Sequence, residues 1–209
     1  MNERPSRLGA RVAGRRAGQR FDAERGVATE ALLFLGDLDA DAIGANVAHA
    51  THYEPTPIGE LERLLAHAPL GPERATFIDV GSGMGRAVLL AAALPFRQIV
   101  GVEFSPALHA IARDNLAAIG RRTLVCRDVR LICGDAAAYR FPSGNLVVYL
   151  YNPFDASVLG PFIDRLAASA TGDVALIYHT PVERDTIEAH PAYELVAEEP
   201  FGIIYRLNK

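Results

Sequence analysis

A glycine-spaced turn, Asp79-Val80-Gly81-Ser82-Gly83-Met84-Gly85, closes a short apolar run and leads into a helical pattern. Glycines between a strand and a helix let the backbone bend sharply and let a ligand press against main-chain N–H groups. Asp79 adds a negative charge at the turn, which disfavours a pyrophosphate and favours a ligand carrying an ammonium group. The third glycine is Gly85, and Arg86 stands where a dinucleotide fingerprint requires glycine. Glu103, 24 residues beyond Asp79, ends the next apolar run, where a carboxylate can accept both hydroxyls of a ribose. Phe104 beside it can pack on a purine face. A third run ends in Gly134-Asp135, where a carboxylate can accept from an exocyclic amine. Three acids at successive run ends, with a glycine turn, describe a nucleoside pocket whose far end wants a cation.

The elements that position these residues alternate along the chain. Apolar runs over 75–80, 98–104, 129–133, 146–151 and 174–178 predict strands. Helical spacing predicts helices over 58–68, 86–94, 105–120, 157–170 and 182–189, with Ser105 as an N-cap and Pro106 in its first turn. A final pair, 193–197 and 202–207, closes the chain. The strands are continuous apolar runs, as expected when helices cover both faces of a parallel sheet. The fold class predicted is α/β: a doubly wound, mostly parallel seven-stranded sheet with helices on both faces and a C-terminal antiparallel hairpin. In such a sheet ligands bind beyond the carboxyl ends of the strands, at the switch point.

Composition narrows the classes further. Half of the 209 residues are apolar and 22% are charged, which excludes a disordered, collagen-like or coiled-coil chain. Cys126 and Cys133 lie seven apart and form neither a disulfide framework nor a zinc motif, which suits a reducing compartment. His49 and His52 lack a third ligand, so no metal is expected. No apolar run is long enough to span a bilayer, and the N-terminus has no secretory h-region. A soluble cytoplasmic protein is expected. The net charge of −4 divides unevenly: residues 1–25 hold seven arginines and three acids, so the remainder is at −8. A body that acidic is a poor match for a phosphate backbone, and nucleic acid is not the expected partner. Residues 1–25 are predicted to be a basic, disordered arm with little to bury. Residues 26–70 are predicted to form an N-terminal helical cap region.

These motifs resemble the class I (Rossmann-like, seven-strand) S-adenosylmethionine-dependent methyltransferases over residues 50–207. The resemblance makes residues 71–209 the Rossmann-like methyltransferase domain. It implies S-adenosylmethionine as cofactor, with Asp79, Gly81, Gly83 and Gly85 cradling its methionine end, Glu103 on its ribose and Asp135 on its adenine. Upstream, Tyr53-Glu54-Pro55-Thr56-Pro57 is similar to the Tyr-x-Pro-Thr/Ser segment of non-SET protein-lysine methyltransferases, which implies that Tyr53 and Thr56 close over the cofactor. Asn152-Pro153-Phe154-Asp155 resembles the Asn-Pro-Pro-aromatic tetrapeptide of amino-group N-methyltransferases, with Phe154 in place of the second proline and Asp155 in place of the aromatic.

What this resemblance implies is methyl transfer to an amine nitrogen, of a protein lysine or similar. Asn152 and the Pro153 carbonyl would hold the acceptor nitrogen, and Asp155 or His179 would take its proton. A protein or a small-molecule amine could be the substrate. Two alternatives remain open: a small-molecule O- or N-methyltransferase, and a non-catalytic regulator that binds the same cofactor.

Overall fold

The computed structural model describes residues 7–31, 33–34, 52–120 and 124–208. His49 lies outside them. In chain order the elements are α1 (Arg7–Arg25), β1 (Leu33–Phe34), β2 (His52–Tyr53), α2 (Glu60–Ala66), β3 (Thr76–Val80), α3 (Arg86–Ala92), β4 (Gln98–Glu103) and α4 (Pro106–Ile119). There follow β5 (Val129–Cys133), β6 (Leu146–Tyr151), α5 (Ala156–Ser169), β7 (Val174–His179), α6 (Arg184–Glu188), β8 (Tyr193–Glu199) and β9 (Gly202–Leu207).

Seven strands form one sheet in the order β5-β4-β3-β6-β7-β9-β8. The first five are parallel, and β9 runs antiparallel between β7 and β8. The chain reverses direction across the sheet at β3, which has β4 on one side and β6 on the other. That crevice is where such sheets bind ligands. β3, β4, β6 and β7 are buried almost throughout, whereas β5 is largely exposed because it is an edge.

Each face of the sheet has its own core. Phe77, Val147, Tyr149 and Ile177 pack under Leu61 and Leu64 of α2 and the wholly buried α3. Ile78, Val148, Leu150 and Leu176 pack under Leu159, Phe162, Ile163 and Leu166 of α5. Burial of these side chains contributes roughly 1.5–3 kcal/mol each, which holds the strand ends in fixed register.

The disordered arm expected at residues 1–25 is corrected for residues 7–25, which form α1. Residues 12–20 are mostly exposed, but the end of the helix is anchored. Phe21 is buried, and Asp22 accepts from the main-chain N–H of Thr29 and of Glu30, both at 2.7 Å, and from the Thr29 hydroxyl. Net charge and low apolar content miss this, because two side chains supply the docking.

Candidate active site

The turn after β3 needs its glycines individually. Gly81, Gly83 and Gly85 have φ of +75°, +52° and +85°, the left-handed region that side chains disfavour. A Cβ on Gly81 would lie 3.0 Å from Pro153 Cβ, and one on Gly83 would lie 2.3 Å from the Tyr53 ring. The turn is therefore a closed cradle between β6 and the N-terminal segment. Gly85 does a different job. It starts α3, and its neighbour is Ala112 of α4 rather than the cleft. Gly101, which the sequence pattern did not single out, lets β4 lie against the turn, since a Cβ there would be 2.9 Å from Ser82 Oγ.

Asp79 and Glu103 meet at this cradle, both buried. Glu103 Oε2 accepts from Gly83 N–H at 2.7 Å and Oε1 from Ser105 N–H at 2.8 Å. Burial raises its pKa and those N–H groups oppose the rise. Asp79 has no such support. Among the described residues no hydrogen bond reaches its carboxyl, and burial, with Glu103 beside it, pushes its pKa up to about 8. A buried acid whose charged form is disfavoured by burial and by a neighbouring carboxyl favours a cation that arrives with a ligand.

The N-terminal segment forms the cleft's upper wall. Tyr53 donates its hydroxyl to Thr29 O at 2.8 Å, and Thr56 shares a hydrogen bond with Tyr149 at 3.0 Å. Arg86, at the position where a dinucleotide site needs glycine, is 2% exposed and clamps this wall. It reaches Glu30 at 3.0 Å, Asp22 at 3.4 Å and the Thr29 hydroxyl, and lies over the Phe21 ring.

An open-mouthed cleft gathers Tyr53, Thr56, Asp79, Gly81, Gly83, Glu103, Phe104, Asn152 and Pro153. Its remaining wall includes Glu54, Tyr151 and Thr180, none of them singled out from the sequence. Glu54 and Thr180 both hydrogen-bond the Tyr151 hydroxyl, whose pKa is raised by burial first and then by Glu54. Asn152 and Thr180 have φ of +42° and +50°. Such a conformation costs of order 1–3 kcal/mol for a residue other than glycine, and strain of this kind collects at functional sites. The Asn152 carboxamide is held by Tyr178, whose hydroxyl donates to Oδ1 at 2.9 Å.

Three expected site residues lie elsewhere. Asp155 is the N-cap of α5, its Oδ1 accepting from the N–H groups of Ser157 and Val158 at 3.0 and 3.2 Å. Asp135 is exposed and caps the short turn of helix at Ala136–Ala138, accepting from Ala137 N–H at 2.7 Å. His179 is 1% exposed and sits behind Tyr149 rather than in the cleft. An acid placed two residues before a main-chain donor it can cap is a signal present in the sequence for the first two.

Residues 77–162 match the family model of a methyltransferase domain. A solved RNA methyltransferase from Salinibacter ruber, in complex with S-adenosyl-L-homocysteine, is 25% identical. The match covers 74% of this chain and 92% of that one, with a TM-score of 0.53. The chain carries a class I, S-adenosylmethionine-dependent methyltransferase domain. Two further solved structures share the methyltransferase fold at 17% identity. One is a putative methyltransferase from Escherichia coli, with a TM-score of 0.57 over 74% of this chain and 91% of that one. The other is a putative RNA methyltransferase from Pyrococcus horikoshii, with a TM-score of 0.54 over 74% and 85%. No curated protein sequence matches the chain.

S-adenosylmethionine fits the methyltransferase's cleft. A cradle that a Cβ would fill, a buried acid beside it and a second acid at the next strand end match a ligand with a cationic end and a ribose. Among the described residues no group of three or more metal-ligating side chains gathers, and no helix is long and apolar enough to cross a membrane.

Proposed function

We propose that this methyltransferase acts on an amine nitrogen, of a protein lysine or a similar amine. The observation that carries the reading is the character of the cleft wall. Arg86 is the one basic side chain lining it among the described residues, and that guanidinium is committed to Glu30 and Asp22. Glu54, Asn152 and the hydroxyls of Tyr151 and Thr180 are what the wall offers an acceptor. A wall of acceptors without a free cation favours a group that donates N–H bonds and carries positive charge over one that carries phosphate.

The bound cofactor supplies an electrophilic methyl group on a sulfonium, together with its own leaving group. The protein's part is to aim a lone pair and to favour the charge that develops on the nitrogen. Asn152 Oδ1 is fixed by Tyr178, and Asn152 stands in the left-handed region just beyond the end of β6, next to Pro153. Preorganised polar groups of this kind stabilise developing charge without having to reorganise, and orientation can supply roughly 7–11 kcal/mol of a barrier. With Asp155 engaged in capping, Glu54 is the carboxylate in the cleft near the acceptor end.

Incubation with methyl-labelled S-adenosylmethionine and a cell extract tests the reading. Label recovered as N-methylated amine, in protein or in small molecules, is the expected result. Label confined to oxygen or carbon acceptors would overturn it. Recovery in RNA would favour the second reading, which rests on the likeness to the Salinibacter ruber RNA methyltransferase.

A further inference from the structure

Behind the cleft, four side chains make one continuous hydrogen-bonded file. Thr56 Oγ1 is 3.0 Å from Tyr149 Oη, Tyr149 Oη is 3.0 Å from His179 Nδ1, and His179 Nε2 is 2.8 Å from Glu60 Oε2. Thr56 and Tyr149 line the cleft, His179 is wholly enclosed, and the Glu60 side chain is 30% exposed. The file therefore runs from the cleft through the core to solvent.

Its direction follows from what each group can donate. An ionised Glu60 only accepts, so His179 carries its proton on Nε2. A neutral His179 then presents a lone pair at Nδ1, and the Tyr149 hydroxyl must donate to it. Tyr149 Oη in turn accepts from the Thr56 hydroxyl. Thr56 Oγ1 has then spent its only proton and offers the cleft lone pairs alone. A buried threonine whose hydroxyl were free to rotate would have no such polarity.

We propose that this file takes up the proton of an ammonium acceptor before methyl transfer, with His179 as its reservoir. The step rests on the amine reading above. The N–H proton passes to Thr56 Oγ1, the Thr56 proton to Tyr149 Oη and the Tyr149 proton to His179 Nδ1. His179 becomes an imidazolium beside the Glu60 carboxylate, and the amine is left with its lone pair. After product leaves, the same shifts in reverse return the proton to water in the cleft, so the file resets without an oxidant or co-reactant. Thr56 touches the substrate; Tyr149, His179 and Glu60 act through it as positioning residues. The groups facing His179 suit the role. Among the described residues, Tyr149 stacks on it and Tyr151 lies tilted against it from β6, Glu60 pairs with it from α2, and the Phe201 ring meets it from the β8–β9 turn, with Arg63 over that ring. Asp79 and Glu54 act on the file only through Tyr149 and Tyr151.

Two measurements test it on the full chain. Nitrogen-15 NMR of the histidine rings, with His179 assigned by a His179→Gln variant, should find the neutral Nε2–H form at neutral pH and a weakened preference in Glu60→Gln. A neutral Nδ1–H form would overturn the orientation, and with it the proposal, whatever the acceptor. Single-turnover methyl transfer from labelled cofactor to extract amines is then followed against pH in wild type, Tyr149→Phe and Glu60→Gln. Tyr149→Phe should be roughly 10²-fold slower near neutral pH, the scale of general base catalysis, and should recover as alkaline solution deprotonates the amine. A profile parallel to wild type in both variants would overturn the relay while leaving the amine reading intact. Wild type that labels no amine fails the amine reading itself.

Discussion

Arg86 and Glu30 lie 3.0 Å apart, and that pair fastens the N-terminal segment to the first residue of the helix that follows the glycine turn. The same guanidinium reaches Asp22, which also holds the main-chain N–H groups of Thr29 and Glu30. Asp22→Ala would strand both N–H groups and half of a buried ion pair. It should destabilise the protein by about 3 kcal/mol, since breaking a buried pair from one side costs far more than its formation gains. Chemical denaturation of the variant checks this. An unchanged midpoint would mean that α1 is undocked in solution.

Gly83→Ala tests the cradle. Its φ of +52° and the ring of Tyr53, 2.3 Å from the new Cβ, both oppose a side chain. Strain of about 1–3 kcal/mol is expected, with Tyr53 displaced and cofactor affinity lowered by at least the corresponding factor. Tyr53→Phe removes only the bond to Thr29 O and should lose about 1 kcal/mol of stability. Calorimetric titration with thermal melting separates the two.

The buried acid at the turn gives a pH dependence. Asp79 has its pKa pushed up to about 8 in the folded protein, above its unfolded value. The folded state therefore binds the extra proton between the ordinary carboxylate range and about pH 8, and this group's contribution to stability falls as pH rises through that window. Cofactor binding runs the other way. A cationic ligand favours the ionised carboxyl, so affinity should rise with pH up to about 8 and then level, with protons released below it. Titrations in buffers of different ionisation enthalpy read that release directly. Asp79→Asn should abolish it, weaken binding and stabilise the protein at alkaline pH.

The Tyr178 hydroxyl that holds Asn152 at 2.9 Å separates binding from turnover. Tyr178→Phe and Asn152→Ala should both lower kcat with little change in cofactor affinity, because the contact acts mainly in the transition state. Asn152→Ala should cost about 2.7–4 kcal/mol, or roughly 10²- to 10³-fold. If Asn152 merely shapes the turn, its loss would lower the melting point and leave single-turnover transfer intact.

Much of this architecture can be read from the sequence because burial on both faces makes it plain. β5, β6 and β9 begin and end where the apolar runs do, while helix ends differ by a residue or two. Asp79, Gly81, Gly83 and Glu103 converge because strand ends in a parallel sheet must. What composition hides is what single side chains do. Phe21 and Asp22 order an arm that its charge count marks as solvated. Asp135 and Asp155 each cap a helix through Oδ1. His179 reads as a strand-end base yet faces the core, because the strand alternates and its partner there is Tyr149. Glu54 and Thr180 come to the cleft only through tertiary folding.

The cleft at the ends of β3, β4 and β6 is the proposed cofactor site. Calorimetric titration of S-adenosylmethionine into wild type, Gly83→Arg and Glu103→Ala tests it most directly. Wild type should bind saturably, Gly83→Arg, whose side chain would fill the cradle, should not bind, and Glu103→Ala should bind clearly more weakly. Undiminished binding by both variants would contradict it.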